Sequence, residues 1–223
     1  MNIIVISLER AKERREKINS QLNKLGIDAV IMDAIDSEKL SEGEKDKKIH
    51  LDGGYRFGDK FKPGEIACTM SHIKAVNIAK ENNWDSFIVL EDDVVLAEDF
   101  EKRIKFLFKI LPDNWEHVYL SGIPRLGYGI PPNLQFLNVL PSIFTECTHS
   151  MMIRDNSYDK IISKLSLFET TTDDIYNNML SRKELVSYTY YPFVTFANDE
   201  YTYIWNQTIT REHKSKKYFK NKI

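Results

Sequence analysis

The first thirty-odd residues decide most of what this chain can fold into. Ile3 to Leu8 is a short run dominated by the β-branched Ile3-Ile4-Val5-Ile6, the pattern of a strand covered on both faces. Ala11, Ile18, Leu22 and Leu25 then recur at helical spacing, and Gly26 supplies a C-terminal stop. Ile27 to Met32 reads as a second strand. Strand, helix and strand in this order imply an α/β unit built on a parallel sheet. Arg15 falls on the apolar stripe of the helix, where a guanidinium needs a carboxylate or phosphate partner. Arg10 and Arg14 read as members of a solvated charged face.

The same alternation continues. Residues 36–62 are polar and lysine-rich, with Gly53-Gly54 as a turn signal, and read as a long loop with little regular structure. Pro63-Gly64-Glu65 opens a helix to about Asn82 that is small or apolar on two faces and hence buried. Phe87 to Leu90 is a buried strand. Asp99 to Leu111 matches a helical stripe through Phe100, Ile104, Leu107 and Phe108, and Pro112 ends it. His117 to Leu120 is a strand, and Gly122 to Pro132 a glycine- and proline-rich loop. Leu134 to Ile153 reads as two strands broken near Pro141, and Asn156 to Leu165 as a helix. Thr172 is placed to cap a short helix carrying Ile175 and Met179, and Leu185 to Phe196 is strand-like.

Composition narrows the class. A 42% hydrophobic content over 223 residues supports a sizeable core, and a formal net charge of -2 disfavours nucleic acid as a partner. Two cysteines, Cys68 and Cys147, make no disulfide framework and suit a reducing cytoplasm. The N-terminus lacks a basic region, and no apolar run approaches a membrane span. The expected organisation is one domain over residues 1–210 and a basic tail over 211–223. Arg211, Lys214, Lys216, Lys217, Lys220 and Lys222 in that tail allow peripheral contact with anionic lipid, or simply a solvated terminus.

Chemistry concentrates at Glu91-Asp92-Asp93, which follows the Phe87–Leu90 strand directly and precedes Val94-Val95. Carboxylates between apolar strand residues are costly without compensation. At the carboxyl end of a sheet strand they form a site for Mn²⁺ or Mg²⁺, shared with a substrate diphosphate. Strand alternation would put Glu91 and Asp93 on one side and Asp92 on the other. The alternative is an acidic loop without metal. An EF-hand is disfavoured by the missing glycine and the strand-like flanks. A second metal arrangement also stands open. Cys68 and His72 are one helical turn apart, and with Cys147 and His149 they could compose a tetrahedral zinc site.

Several segments coincide with one family. Ile6-Ser7-Leu8-Glu9-Arg10 with Arg14-Arg15, Gly64-Glu65-Ile66-Ala67-Cys68-Thr69-Met70-Ser71-His72, and Leu90 to Leu96 occur in its order. Weaker matches are Thr148 to Ile153, Asp173-Asp174, and Tyr191 to Val194. On these the chain resembles glycosyltransferase family 25, the lipooligosaccharide β-galactosyltransferases and their collagen-modifying relatives. The resemblance implies an α/β fold of GT-A type, a Rossmann-like mostly parallel sheet flanked by helices. It implies transfer with inversion of a hexose, commonly galactose from UDP-galactose, to a glycan or glycolipid acceptor. It implies Asp93 and Glu91 as ligands to Mn²⁺ or Mg²⁺, and Ser7, Leu8, Arg15, Glu65, Ser71, His72, Glu91 and Asp92 around the donor. Arg15 reads equally as a structural ion pair, and His72 as a structural histidine. Asp173 is the candidate general base with Asp174 in reserve; both also suit a helix N-terminus. A non-catalytic nucleotide-sugar or glycan-binding relative of the same fold is the alternative.

Overall fold

The computed structural model describes residues 1–50, 58–124, 138–142 and 145–197, with the backbone of two short strands at 201–202 and 207–208. The elements in order are β1 (Ile3–Ser7), α1 (Lys12–Leu25), β2 (Val30–Asp33), the one-turn α2 (Glu42–Lys45), α3 (Pro63–Glu81), β3 (Ser86–Glu91), β4 (Val94–Leu96) and α4 (Phe100–Ile110). There follow β5 (His117–Tyr119), β6 (Ile123–Pro124), β7 (Val139–Pro141), β8 (Thr145–Glu146), β9 (Ser150–Arg154), α5 (Tyr158–Ser166), α6 (Thr172–Ser181), β10 (Ser187–Tyr190) and β11 (Thr195–Ala197). The basic tail and most of the predicted Gly122–Pro132 loop lie outside the described residues.

The central sheet has seven strands in the order β2-β1-β3-β9-β5-β10-β7. β1 pairs parallel with β2 and β3, and β5 with β10. β9 runs antiparallel between β3 and β5, and β7 antiparallel at the edge. The sheet is thus mixed, with five strands pointing one way. Both its faces are covered, which is why β1 and β3 read as continuous apolar runs. Ile3, Val5, Ile88, Leu90 and Met152 face α1 and α4 through Ile18, Leu22, Phe100, Ile104 and Leu107. Ile4, Ile6, Phe87, Val89 and Met151 face α3, α5 and α6 through Ala75, Ala79, Ile161 and Tyr176. Small residues on α3 let that helix sit close over the sheet, and it is buried as expected.

Local departures from expectation have physical causes. Residues 36–62 are not structureless: a 3-10 turn, α2 and a Lys48–Lys60 bridge occur, and Leu40, Ile49 and Phe61 pack on Ile66 and Ala67. Leu185 to Phe196 is two strands that join different sheets, β10 in the main sheet and β11 beside β4. Thr172 is not the cap of α6 but its first residue. Thr171 precedes the helix, while Thr172 turns inward to bond Thr69 Oγ1 at 2.8 Å. Among the described residues, no helix is long and apolar enough to cross a membrane.

Candidate active site

Because β1, β2 and β3 are parallel and in register, their carboxyl ends meet at one rim. Ser7 lies opposite Asp33, and Ile6 opposite Glu91. β9, running backwards, delivers its N-terminal end to the same rim. Ser150 pairs with Leu90, and Glu91 N donates to His149 O at 2.8 Å. A cleft opens there, lined by Leu8, Arg14, Cys68, Ser71, His72, Glu91, Asp92 and Asp93 among others.

The acidic motif straddles the end of β3. Glu91 is its last residue, and Asp92-Asp93 form the turn into β4, so simple strand alternation does not govern them. Asp92 is 8% exposed. Its Oδ2 accepts from Ser7 Oγ at 2.7 Å, and its Oδ1 ion-pairs with Arg14. Burial raises its carboxyl above the ordinary value, while Arg14 and the Ser7 hydroxyl pull the other way. Arg14 also reaches Asp93 Oδ2 at 3.3 Å. Glu91 and Asp93 offer carboxylate oxygens at the cleft, a hard donor set of the kind Mg²⁺ or Mn²⁺ takes.

Arg14 therefore corrects the sequence reading. It is not solvated: its side chain is 13% exposed, and it clamps two of the three acids. The signal was present, since Arg14 stands one turn before Ile18 on the buried stripe. Arg10 is on the surface, paired with Asp36 and Glu38. Arg15 finds the anionic partner its position demanded. Its Nη2 donates to Asp33 Oδ1 at 2.8 Å and to Ser7 O at 2.7 Å.

α3 supplies the opposite wall. Glu65 Oε2 accepts from Lys62 N at 2.9 Å as part of a capping box at the start of the helix. Ser71 Oγ donates to Ala67 O and accepts from Ile35 N, tying α3 to the segment after β2. His72 is buried, its Nε2 3.4 Å from both Glu91 Oε1 and Thr148 Oγ1. Thr148, which the sequence reading did not single out, approaches Glu91 Oε1 at 3.4 Å as well. It comes within reach only through the antiparallel β9, 57 residues along the chain.

Asp173 and Asp174 open α6, off the cleft lining but beside α3. Thr171 Oγ1 donates to Asp173 Oδ1 at 2.8 Å and approaches Asp174 Oδ2 at 3.2 Å. Thr172 bridges them to α3, with its Oγ1 3.8 Å from Cys68 Sγ. The four-residue zinc set is not assembled. His149 Nε2 bonds Ser121 Oγ at 2.8 Å, and among the described residues Cys68, His72 and Glu91 form a three-residue cluster that could hold a metal.

An α/β/α sandwich with an acidic turn at the carboxyl rim of its sheet is the GT-A glycosyltransferase architecture. A solved structure of like fold is a glycosyltransferase involved in the glycosylation of the major capsid of PBCV-1. It has a TM-score of 0.51 and 12% identity over 86% of this chain and 81% of that one. Residues 1–128 match glycosyltransferase family 25 (LPS biosynthesis protein), and the chain belongs to that family. Among curated relatives, Procollagen galactosyltransferase 2 of Homo sapiens is 29% identical over 126 residues, 53% of this chain and 20% of that protein. A glycosyltransferase 25 family member of Aedes aegypti is 30% identical over 129 residues, 54% of this chain and 21% of its own. The mouse protein named Inactive glycosyltransferase 25 family member 3 is 30% identical over 126 residues, 53% of this chain and 21% of its own. The matched segment thus makes up about a fifth of these relatives' length.

Proposed function

We propose that this protein transfers a hexose, galactose first among candidates, from a UDP-sugar to a glycan or glycolipid such as lipooligosaccharide, with inversion. The observation that carries the reading is the acidic turn. Three carboxylates stand at the rim of the sheet beside Arg14, above a cleft walled by Ser71 and His72. Membership of a glycosyltransferase family supports it, as does the name of the human relative.

In this reading Asp93 and Glu91 hold Mn²⁺ or Mg²⁺, which when bound would offset the charge growing on the departing diphosphate. Asp92, locked by Ser7 and Arg14, fixes the turn and contacts the donor. Leu8 and Ser71 border the donor, and His72 offers a ring N–H to a phosphate or sugar oxygen. Ser7, Arg15 and Glu65 hold β1, β2 and α3 in place around it. The acceptor hydroxyl attacks the anomeric carbon from the face opposite the diphosphate. Asp173, or Asp174 in its stead, takes the hydroxyl proton.

The test is UDP release from a panel of UDP-sugars, with and without Mn²⁺. Wild-type protein should release UDP in a metal-dependent way, and Asp93→Ala should lose about a hundredfold or more. A second reading keeps the fold but not the turnover, since one relative of like identity is named inactive. Binding of UDP-sugar without any UDP release would establish that second reading.

A further inference from the structure

The rim carries a second donor set whose chemistry differs from that of the acidic turn. Cys68 and His72 stand four residues apart on α3, so their side chains project from one helix face toward the end of β3. Glu91 meets them there, and the ligand atoms of the three all lie within 4.8 Å of one another. His72 Nε2 and Glu91 Oε1 are 3.4 Å apart. Two ligands each about 2.1 Å from a tetrahedral ion stand about 3.4 Å apart, so this pair already has the spacing zinc requires. All three residues line the cleft, so the site is reachable from it. Thr148 Oγ1, 3.4 Å from the imidazole and from the carboxylate, is placed to hydrogen-bond a ligand once an ion sits between them.

We infer that Cys68, His72 and Glu91 form a site for a thiophilic divalent cation, with Zn²⁺ the fitting ion, and that filling it blocks the donor site by withdrawing Glu91. One thiolate, one imidazole and one carboxylate are a set that favours zinc over manganese or magnesium, whose preference is for oxygen alone. Loss of the cysteine proton on binding balances the charge of the added ion in part. Zinc bound there would take Glu91 from Mn²⁺ or Mg²⁺ and set a cation beside the place where the donor enters. The zinc site stands on geometry alone. Only the blocking effect rests on the proposed function.

The experiment uses the full chain, freed of metal and titrated with Zn²⁺ by calorimetry and with Co²⁺ by absorption. Wild-type protein is expected to bind one zinc per chain and to show a thiolate-to-cobalt charge-transfer band. Asp93→Asn should keep that band. Cys68→Ser should lose it and bind zinc about a hundredfold more weakly, one ligand's share of a site's affinity. In UDP-release assays with Mn²⁺, zinc should inhibit wild-type protein. Cys68→Ser, measured against its own zinc-free turnover, should need about a hundredfold more zinc for the same fractional inhibition. Absence of the band in wild type, or equal zinc affinity in Cys68→Ser, overturns the site. A band with no UDP release under any condition upholds the site while sinking the proposed function. Turnover indifferent to zinc with the band present overturns the blocking effect.

Discussion

At the scale of single residues, protonation matters at two side chains. Asp173, the proposed general base, has its carboxylate held by Thr171 Oγ1 and by the Asp174 amide. Asp173→Asn preserves size and both contacts in altered form. It should cut turnover about a hundredfold or more with UDP-sugar affinity retained, as single-turnover kinetics and calorimetry would report. His117 must stay neutral. It is stacked on Tyr176, bonded through Nδ1 to Ser187 Oγ at 2.7 Å, and fully buried. Burial lowers its pKa from 6.5 to about 3. Between those values the unfolded chain takes up a proton that the folded one refuses. Its contribution is therefore complete above pH 6.5 and drains away as pH falls toward 3. The loss by pH 5 is on the order of 2 kcal/mol. His117→Phe should flatten the fall in urea-unfolding free energy between pH 7 and 5. Nothing in the sequence marked His117 as buried, because its neighbours Tyr119 and Tyr176 are assembled by the sheet and α6. Arg14 reads from the sequence as part of a solvated charged face, because its partners Asp92 and Asp93 lie far along the chain and only the fold brings them beside it.

At the scale of elements, the chain ends its helices where local chemistry says it should. Gly26 follows α1 in the left-handed conformation, φ 66°, its N–H bonded to Leu22 O and Asn23 O. A Cβ there would meet nothing within 4 Å, so the cost of Gly26→Ala is conformational only, about 1 kcal/mol. A thermal melt should show that loss, with Gly26→Asn losing less. This stop, the stripe of α1 and the runs of β1 and β3 were all readable, since each depends on residues within a turn or two. β9 was not readable as an antiparallel insert, nor β4 and β11 as a separate ribbon. Their partners lie from 32 to about 100 residues away, and a strand's own sequence does not name its partner. The acidic turn was legible for the same local reason as the helices. Thr148 was not, because it reaches Glu91 only across that unforeseen pairing.

At the scale of the whole molecule, charge is unevenly spread. The formal net charge is -2, yet residues 211–223 hold six lysines and arginines against Glu212. That segment reads either as a solvated terminus or as a contact with anionic lipid, worth about 1 kcal/mol per basic residue near the surface, and the second would suit a glycolipid acceptor. On the lipid-contact reading the intact chain should sediment with anionic vesicles and not with neutral ones, and deletion of 211–223 should abolish the difference. Unchanged sedimentation would leave the tail without a membrane role.

The place of β9 has a consequence for how this protein can be divided. The family match ends at residue 128, yet the strand seated between β3 and β5 begins at Ser150. A fragment cut at the limit of that match would leave two strand edges facing an empty slot in mid-sheet. Unpaired inner edges of apolar strands invite the chains of other molecules to fill the gap, so such a fragment would cluster with its own kind. The part of the chain that the family match spans therefore depends for its sheet on a strand beyond that match.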